Sequence, residues 1–195
     1  MGKSTKQSLS LVKLIILALL GTISLVLFFL NFPLPFLPPY LKIDFSEVPA
    51  LMAGLIFSPV AGVIVVAVKN LLYLAVSGAG DPIGVAANFL AGLMFVLPVS
   101  IFYHRFKKGV KSVVSGLVTG TIIMTIGMSV LNYFIVLPAY GWFMGWEMTP
   151  EVIWSSVLIG VLPFNAIKGI IVGILFVPLF IKMKNWVEQQ QAKFI

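Results

Sequence analysis

The sequence predicts an all-α integral membrane protein, a six-helix transmembrane bundle, on three observations. Hydrophobic residues make up 60% of the 195-residue chain and charged residues 10%. Mean hydropathy is +1.11, well above that of a soluble globular domain. The apolar residues also fall in runs punctuated by Pro, Gly or charge, and each membrane crossing needs about 20 residues. The runs place helices at 11–30, 48–57, 60–77, 83–104, 111–137 and 153–181. Together they use up the length, so residues 1–195 form a single transmembrane domain.

The first helix follows the basic "MGKSTKQSLSLVK". A signal peptide begins in the same way, but this apolar run is long and no small-x-small cleavage site follows it, so it reads as a retained span. "GKS" at residues 2–4 lacks the upstream glycine and strand of a phosphate-binding loop, and no ATPase is expected within the chain.

Beyond the first helix comes "NFPLPFLPPYLKIDFSE", the outer loop 31–47. Pro33, Pro35, Pro38 and Pro39 deny it helix. Leu41, Ile43 and Phe45 then alternate with Lys42, Asp44 and Ser46, a pattern that turns one side to a cavity and the other to water. The loop is longer than a connector needs to be and is expected to gate the mouth of the bundle.

The run 48–57 is too short to cross a core ~30 Å thick. It meets the third helix at "FSP", which predicts a bent hairpin with its turn near the inner interface. "GLVTG" and "GIIVG" carry Gly116 and Gly120, and Gly169 and Gly173, at the spacing that lets helices approach closely within a bundle. In the first helix, Ala18, Gly21 and Thr22 form a small patch suited to docking a partner helix. Trp142, Trp146 and Trp154 fit an interfacial aromatic belt better than a lid.

Thirteen basic residues against six acidic give a net charge of +7. The charges gather at membrane borders, so this balance does not indicate a nucleic-acid partner. With the N-terminus inside, Lys3, Lys6, Lys13, Arg105, Lys107, Lys108, Lys111, Lys182, Lys184 and Lys193 all fall on the inner side. Asp44, Glu47, Asp81, Glu147 and Glu151 fall outside. The positive-inside rule therefore puts both termini in the cytoplasm of a multi-pass protein embedded in lipid.

Lys69 and Lys168 remain within spans, where an uncompensated charge costs roughly 3 kcal/mol on insertion scales. Counted from the outer ends, Lys69, Asn70, Tyr73, Asn88, Asn132, Tyr133, Asn165 and Lys168 all lie in the outer half. The inner half offers mainly Ser, Thr and Gly. A channel needs polar groups through the full thickness, so the pattern describes a blind cavity open to the outside. Each asparagine alone could equally be an interhelical hydrogen bond, and Lys69 could pair with Asp44, Glu47 or Asp81. A single histidine, His104, no cysteine and no intramembrane carboxylate pair leave no basis for a metal site or acid–base catalysis.

"LKIDFSEVPALMAG", "VKNLLYL", "ANFLAG", "LNYF" and "PFNAIKG" resemble the riboflavin-specific substrate-binding subunit, or S component, of energy-coupling factor (ECF) vitamin transporters. The resemblance covers nearly the whole chain. It implies the S-component six-helix fold and high-affinity capture of riboflavin from outside, with no resident cofactor. It also implies partnership with a transmembrane coupling subunit and two cytoplasmic ATPase subunits in a prokaryotic cell membrane, and toppling of the whole subunit to deliver its ligand inward.

The same resemblance implies polar ligand contacts from Asn132, Asn165 and Lys168. Leu41, Asp44, Phe45, Asn88 and Tyr133 are expected to line or cover the ring system. A neutral flavin leaves Lys168 needing a carboxylate from the outer loop or access to water. The family's Ala-x-x-x-Ala docking motif appears here with Thr22 in the second place. From the residues alone, another vitamin such as thiamine, pantothenate or biotin fits the same fold, whereas an intramembrane enzyme or small channel lacks its expected residues.

Overall fold

The computed structural model describes residues 2–77, 80–106 and 108–194, with the backbone alone for residues 2–10. Lys107 and the side chains of Lys3 and Lys6 lie outside the described residues. Helix α1 spans Gly2–Phe29. A two-residue ladder, β1 (Phe32–Pro33) with β2 (Lys42–Ile43), closes the proline-rich loop antiparallel, with Phe32 opposite Ile43. Then come α2 (Glu47–Ile56), α3 (Pro59–Val76), α4 (Pro82–Arg105), α5 (Val110–Met144) and α6 (Pro150–Phe194). Five of these helices are long and apolar enough to cross a membrane.

Helices α1, α3, α4, α5 and α6 pack in sequence, while α2 touches α1, α3, α4 and α6. All ten residues of α2 are buried. That follows from a helix apolar on every side, which is stable only when surrounded. Gly116 and Gly120 let α5 lie directly on α4: a Cβ at Gly120 would come within 2.6 Å of the Phe95 carbonyl oxygen.

Three expected boundaries move. The first helix begins at Gly2, not near residue 11, because helical hydrogen bonds continue where hydropathy ends. The fifth runs past residue 137 to Met144, and the sixth past 181 to Phe194.

Continuation through Pro138 has a local cause. Residues Asn132–Val136 form a π turn, in which the Leu137 N–H reaches back five residues to the Asn132 carbonyl. The wider ring accommodates the proline that follows. The same device recurs at Ser156–Val161, where the Leu162 N–H donates to Val157 just before Pro163. Both turns sit beside asparagines that the sequence singles out, Asn132 and Asn165.

The C-terminal end of α6 is held by packing. Val187 and Gln191 are buried, Gln191 donates to the Leu55 carbonyl at 2.5 Å, and Phe194 meets Phe57 edge-on at 5.1 Å. Lys108 donates to Gln191 at 2.9 Å, and His104 bonds the Gly54 carbonyl at 2.8 Å. The far end of α6 thus closes the bundle beneath the short α2.

Candidate functional site: a buried ion cluster under the outer loop

Helix α2 has 10 residues and begins about 15 Å above its inner end at 1.5 Å per residue. Lys69 lies seven residues below the outer end of α3 at Val76, or about 10 Å. Because Lys69 bonds the loop at Ser46, the last part of the loop, residues 44–46, does not stay at the mouth of the bundle. It plunges into it.

The expected alternation therefore fails. Ile43, Asp44, Ser46 and Glu47 are all buried, and Lys42 is exposed. The reason is electrostatic: two buried cations draw the loop's acids inward. Lys168 donates to Asp44 Oδ2 at 2.9 Å and to Glu47 Oε1 at 3.2 Å. Lys69 donates to Ser46 Oγ at 2.9 Å and Asn88 Oδ1 at 2.7 Å, and lies 3.6 Å from the same Glu47 Oε1. Its ammonium also sits 5.0 Å from the centre of the Phe28 ring.

The Ser46 hydroxyl does not cap α2. Both it and its N–H, the latter at 2.9 Å, donate to Asp44 Oδ1, while Ser24 donates its hydroxyl to the Ser46 carbonyl. Burial works against the charge on Asp44. Lys168 and Lys69, with the Ser46 hydroxyl, outweigh it and hold the Asp44 carboxyl below the ordinary carboxylate range.

Asp44, Glu47, Lys69 and Lys168 are 1%, 2%, 1% and 4% exposed. At the level where the sequence places a cavity, the loop's acids are buried against the two lysines. Two cations face two carboxylates, so the cluster is formally neutral, as burial of charge requires. One atom is left over. Glu47 Oε2 is buried with no hydrogen-bond partner.

Of the residues the sequence singles out, this cluster unites Asp44, Asn88 and Lys168 with Lys69, which lies beside Glu47, one of the acids named as its possible partners. Asn70, Asn132 and Asn165 instead donate their amides to carbonyls one turn back on their own helices, each at 2.8 Å. Tyr133 is half-buried and meets Trp154 edge-on at 5.9 Å. Phe45 tilts against Phe32 at 6.4 Å. Leu41 and Pro38 rest on the π turn of α6, where a Cβ at Gly160 would meet each at 3.4 Å.

The docking patch on α1 divides. Ala18 and Thr22 are exposed, with Thr22 donating to the Ala18 carbonyl at 3.0 Å. Gly21 is turned inward, where its Cβ would meet Val68 at 2.5 Å, so it serves contact with α3. Asp81 does not pair with Lys69. It caps α4 through the Gly84 N–H at 2.8 Å and accepts from Tyr140. An apolar groove of about 560 Å³ between α5 and α6, around Gly173 and Ile174, lies apart from the cluster and carries none of its polar groups.

The family model described as "ECF transporter, substrate-specific component" matches residues 12–180. The chain belongs to this family. This S component is thus a multi-pass membrane protein and a transport protein, not an enzyme. It is 46% identical to "Riboflavin transporter FmnP" of Bacillus subtilis (strain 168) over 94% of this chain and 97% of that protein. It is 45% identical to "Riboflavin transporter RibU" of Staphylococcus aureus (strain TCH60) over 91% and 93%. A solved structure described as "Structure and mechanism of the S component of a bacterial ECF transporter" superposes with a TM-score of 0.75 at 46% identity, covering 90% of this chain and 96% of that one.

Ser46, Glu47 and Lys69 belong to the cluster without having been expected to contact the ligand; for Lys69 and Glu47 the sequence suggested an ion pair, and Ser46 carried no signal. The signal for Glu47 was its place three residues after Asp44, in the first turn of α2, where a carboxylate also meets the positive end of the helix dipole.

Proposed function

We propose that this S component captures riboflavin on the outer face of a prokaryotic cytoplasmic membrane. It then delivers the vitamin inward with a transmembrane coupling subunit and two cytoplasmic ATPase subunits. Both termini are cytoplasmic in this reading, which the distribution of Lys and Arg supports. The observation that carries the proposal is the loop-to-bundle ion cluster: Asp44 and Glu47 of the outer segment meet Lys168 of α6 in a neutral, closed site. Relatives named as riboflavin transporters share this chain nearly end to end.

Chemistry agrees with a flavin. A planar ring needs apolar walls, and its polar edge and ribityl hydroxyls need several groups that both donate and accept. Asn88, Asn132 and Asn165 offer such groups, with Leu41, Phe45 and Tyr133 as walls. A neutral cluster suits a neutral ligand. For the ligand to enter, the loop must lift from Gly160 and reseat over it, so the loop acts as the gate. The exposed Ala18 and Thr22 face of α1 serves the coupling subunit.

The test is direct. Purified protein should be yellow, release its chromophore on denaturation, and quench added riboflavin fluorescence after stripping. A colourless protein that quenches nothing would refute the assignment.

A further inference from the structure

Counting hydrogen bonds in the cluster shows which polar groups are unspent. A lysine ammonium has three donors and a carboxylate about four acceptor positions. Lys69 spends two donors, on Ser46 and Asn88, and pairs electrostatically with Glu47 Oε1 at 3.6 Å. Lys168 spends two, on Asp44 and Glu47. Both lysines address the same oxygen of Glu47, Oε1, which leaves Oε2 buried and unpartnered at the level where the loop enters the bundle. A buried carboxylate oxygen without a donor costs the full penalty of its desolvation, so such an atom calls for an explanation.

We propose that Glu47 is a specificity-determining ligand contact: its Oε2 accepts the imide N–H of the flavin ring, while the remaining donor of Lys168 meets the adjacent ring carbonyl. The inference rests on the flavin reading above. The ring's polar edge presents a carbonyl, an N–H and a second carbonyl in a row. Lys168 Nζ lies 3.2 Å from Glu47 Oε1, so the free Oε2 of the same carboxylate and the remaining Lys168 donor present an acceptor beside a donor. A ribityl hydroxyl fits less well, because it both donates and accepts and is matched by an asparagine. The imide N–H only donates and is more acidic than an alcohol, which suits a carboxylate. Lys69 acts here as a positioning residue, since by claiming Oε1 it helps aim the other oxygen at the ligand.

The test compares riboflavin with its N3-methyl derivative, in which a methyl group replaces this donor, on the full chain in lipid nanodiscs by fluorescence quenching. A hydrogen bond to a charged partner corresponds to about 10- to 100-fold in affinity, so the wild-type protein should prefer riboflavin by that factor. In Glu47→Gln, the two lysines will hold the amide oxygen and turn its NH2 to the ligand. Riboflavin should then bind about 10- to 100-fold more weakly, and the preference over the methylated ring should fall to near unity. Equal binding of both ligands by wild type overturns the proposal, and this arm needs no variant. A folded Glu47→Gln protein that keeps the full preference overturns it as well. Failure of wild type to bind riboflavin at all would instead refute the functional reading on which it rests.

Discussion

Replacing Lys168 by Met tests what holds the outer loop in place. The wild-type cluster sets Lys69 and Lys168 against Asp44 and Glu47 and is formally neutral. Lys168→Met leaves two carboxylates to one ammonium, with Asp44 stripped of its 2.9 Å partner. Removing one member of a buried pair costs about 3–5 kcal/mol, because the charge left behind is buried and uncompensated. The bundle itself need not pay this penalty. Lifting the loop returns Asp44 to water, so the cost should appear as local opening. At about 1.4 kcal/mol per factor of ten, opening should rise by roughly 10²- to 10³-fold or more.

Amide hydrogen exchange in nanodiscs reads this directly. The Ser46 N–H bonds Asp44 Oδ1 and the Val48 N–H bonds the Phe45 carbonyl, so both report docking. Exchange at residues 41–48 should accelerate while the cores of α4 and α5 stay protected. Adding Asp44→Asn to Lys168→Met restores neutrality and should recover most of the protection, a coupling that independent sites would not show. If exchange in the single variant matches wild type, the ion pairs do not dock the loop. If the second substitution makes matters worse, charge balance is not the reason.

Three further outcomes are expected. Because Lys168 and Lys69 depress the Asp44 carboxyl, its contribution is fully present above the unfolded value of about 3.9 and is lost as pH falls through the lower folded value. Loop protection, corrected for intrinsic exchange, should therefore be flat from pH 7 to about pH 5 and fall only below about pH 4, and Asp44→Asn should abolish that fall. Gly160→Leu fills the seat that Pro38 and Leu41 occupy on the π turn, and should speed riboflavin release in a stopped-flow quenching experiment without lowering the melting temperature. Gly120→Val drives a side chain into the Phe95 carbonyl and should destabilise the α4–α5 contact by about 1–3 kcal/mol, seen as earlier thermal loss of the monodisperse peak in size-exclusion chromatography.

By itself, the sequence determined what depends on local composition. Six helices, the short second one, the buried lysines and the outer-half clustering of amides follow from hydropathy, helix rise and the cost of charge in lipid. Those quantities are summed residue by residue, and no distant partner changes them. The tertiary structure decided which polar groups meet. Asparagines at one depth read as one site, yet Asn132 and Asn165 turn to their own backbones beside π turns. Asn88 joins the cluster because Lys69 reaches it across the α3–α4 contact. The period-two pattern of 41–46 predicts Asp44 and Ser46 in water, and two lysines contributed by α3 and α6 reverse that. Lys168 is 124 residues from Asp44, and only the folded bundle brings the cation to the acid. The sequence already called for a gating loop and for a loop carboxylate on Lys168; which acid meets which lysine is decided by the counter-ion the fold delivers, so the pairing itself became legible only in three dimensions.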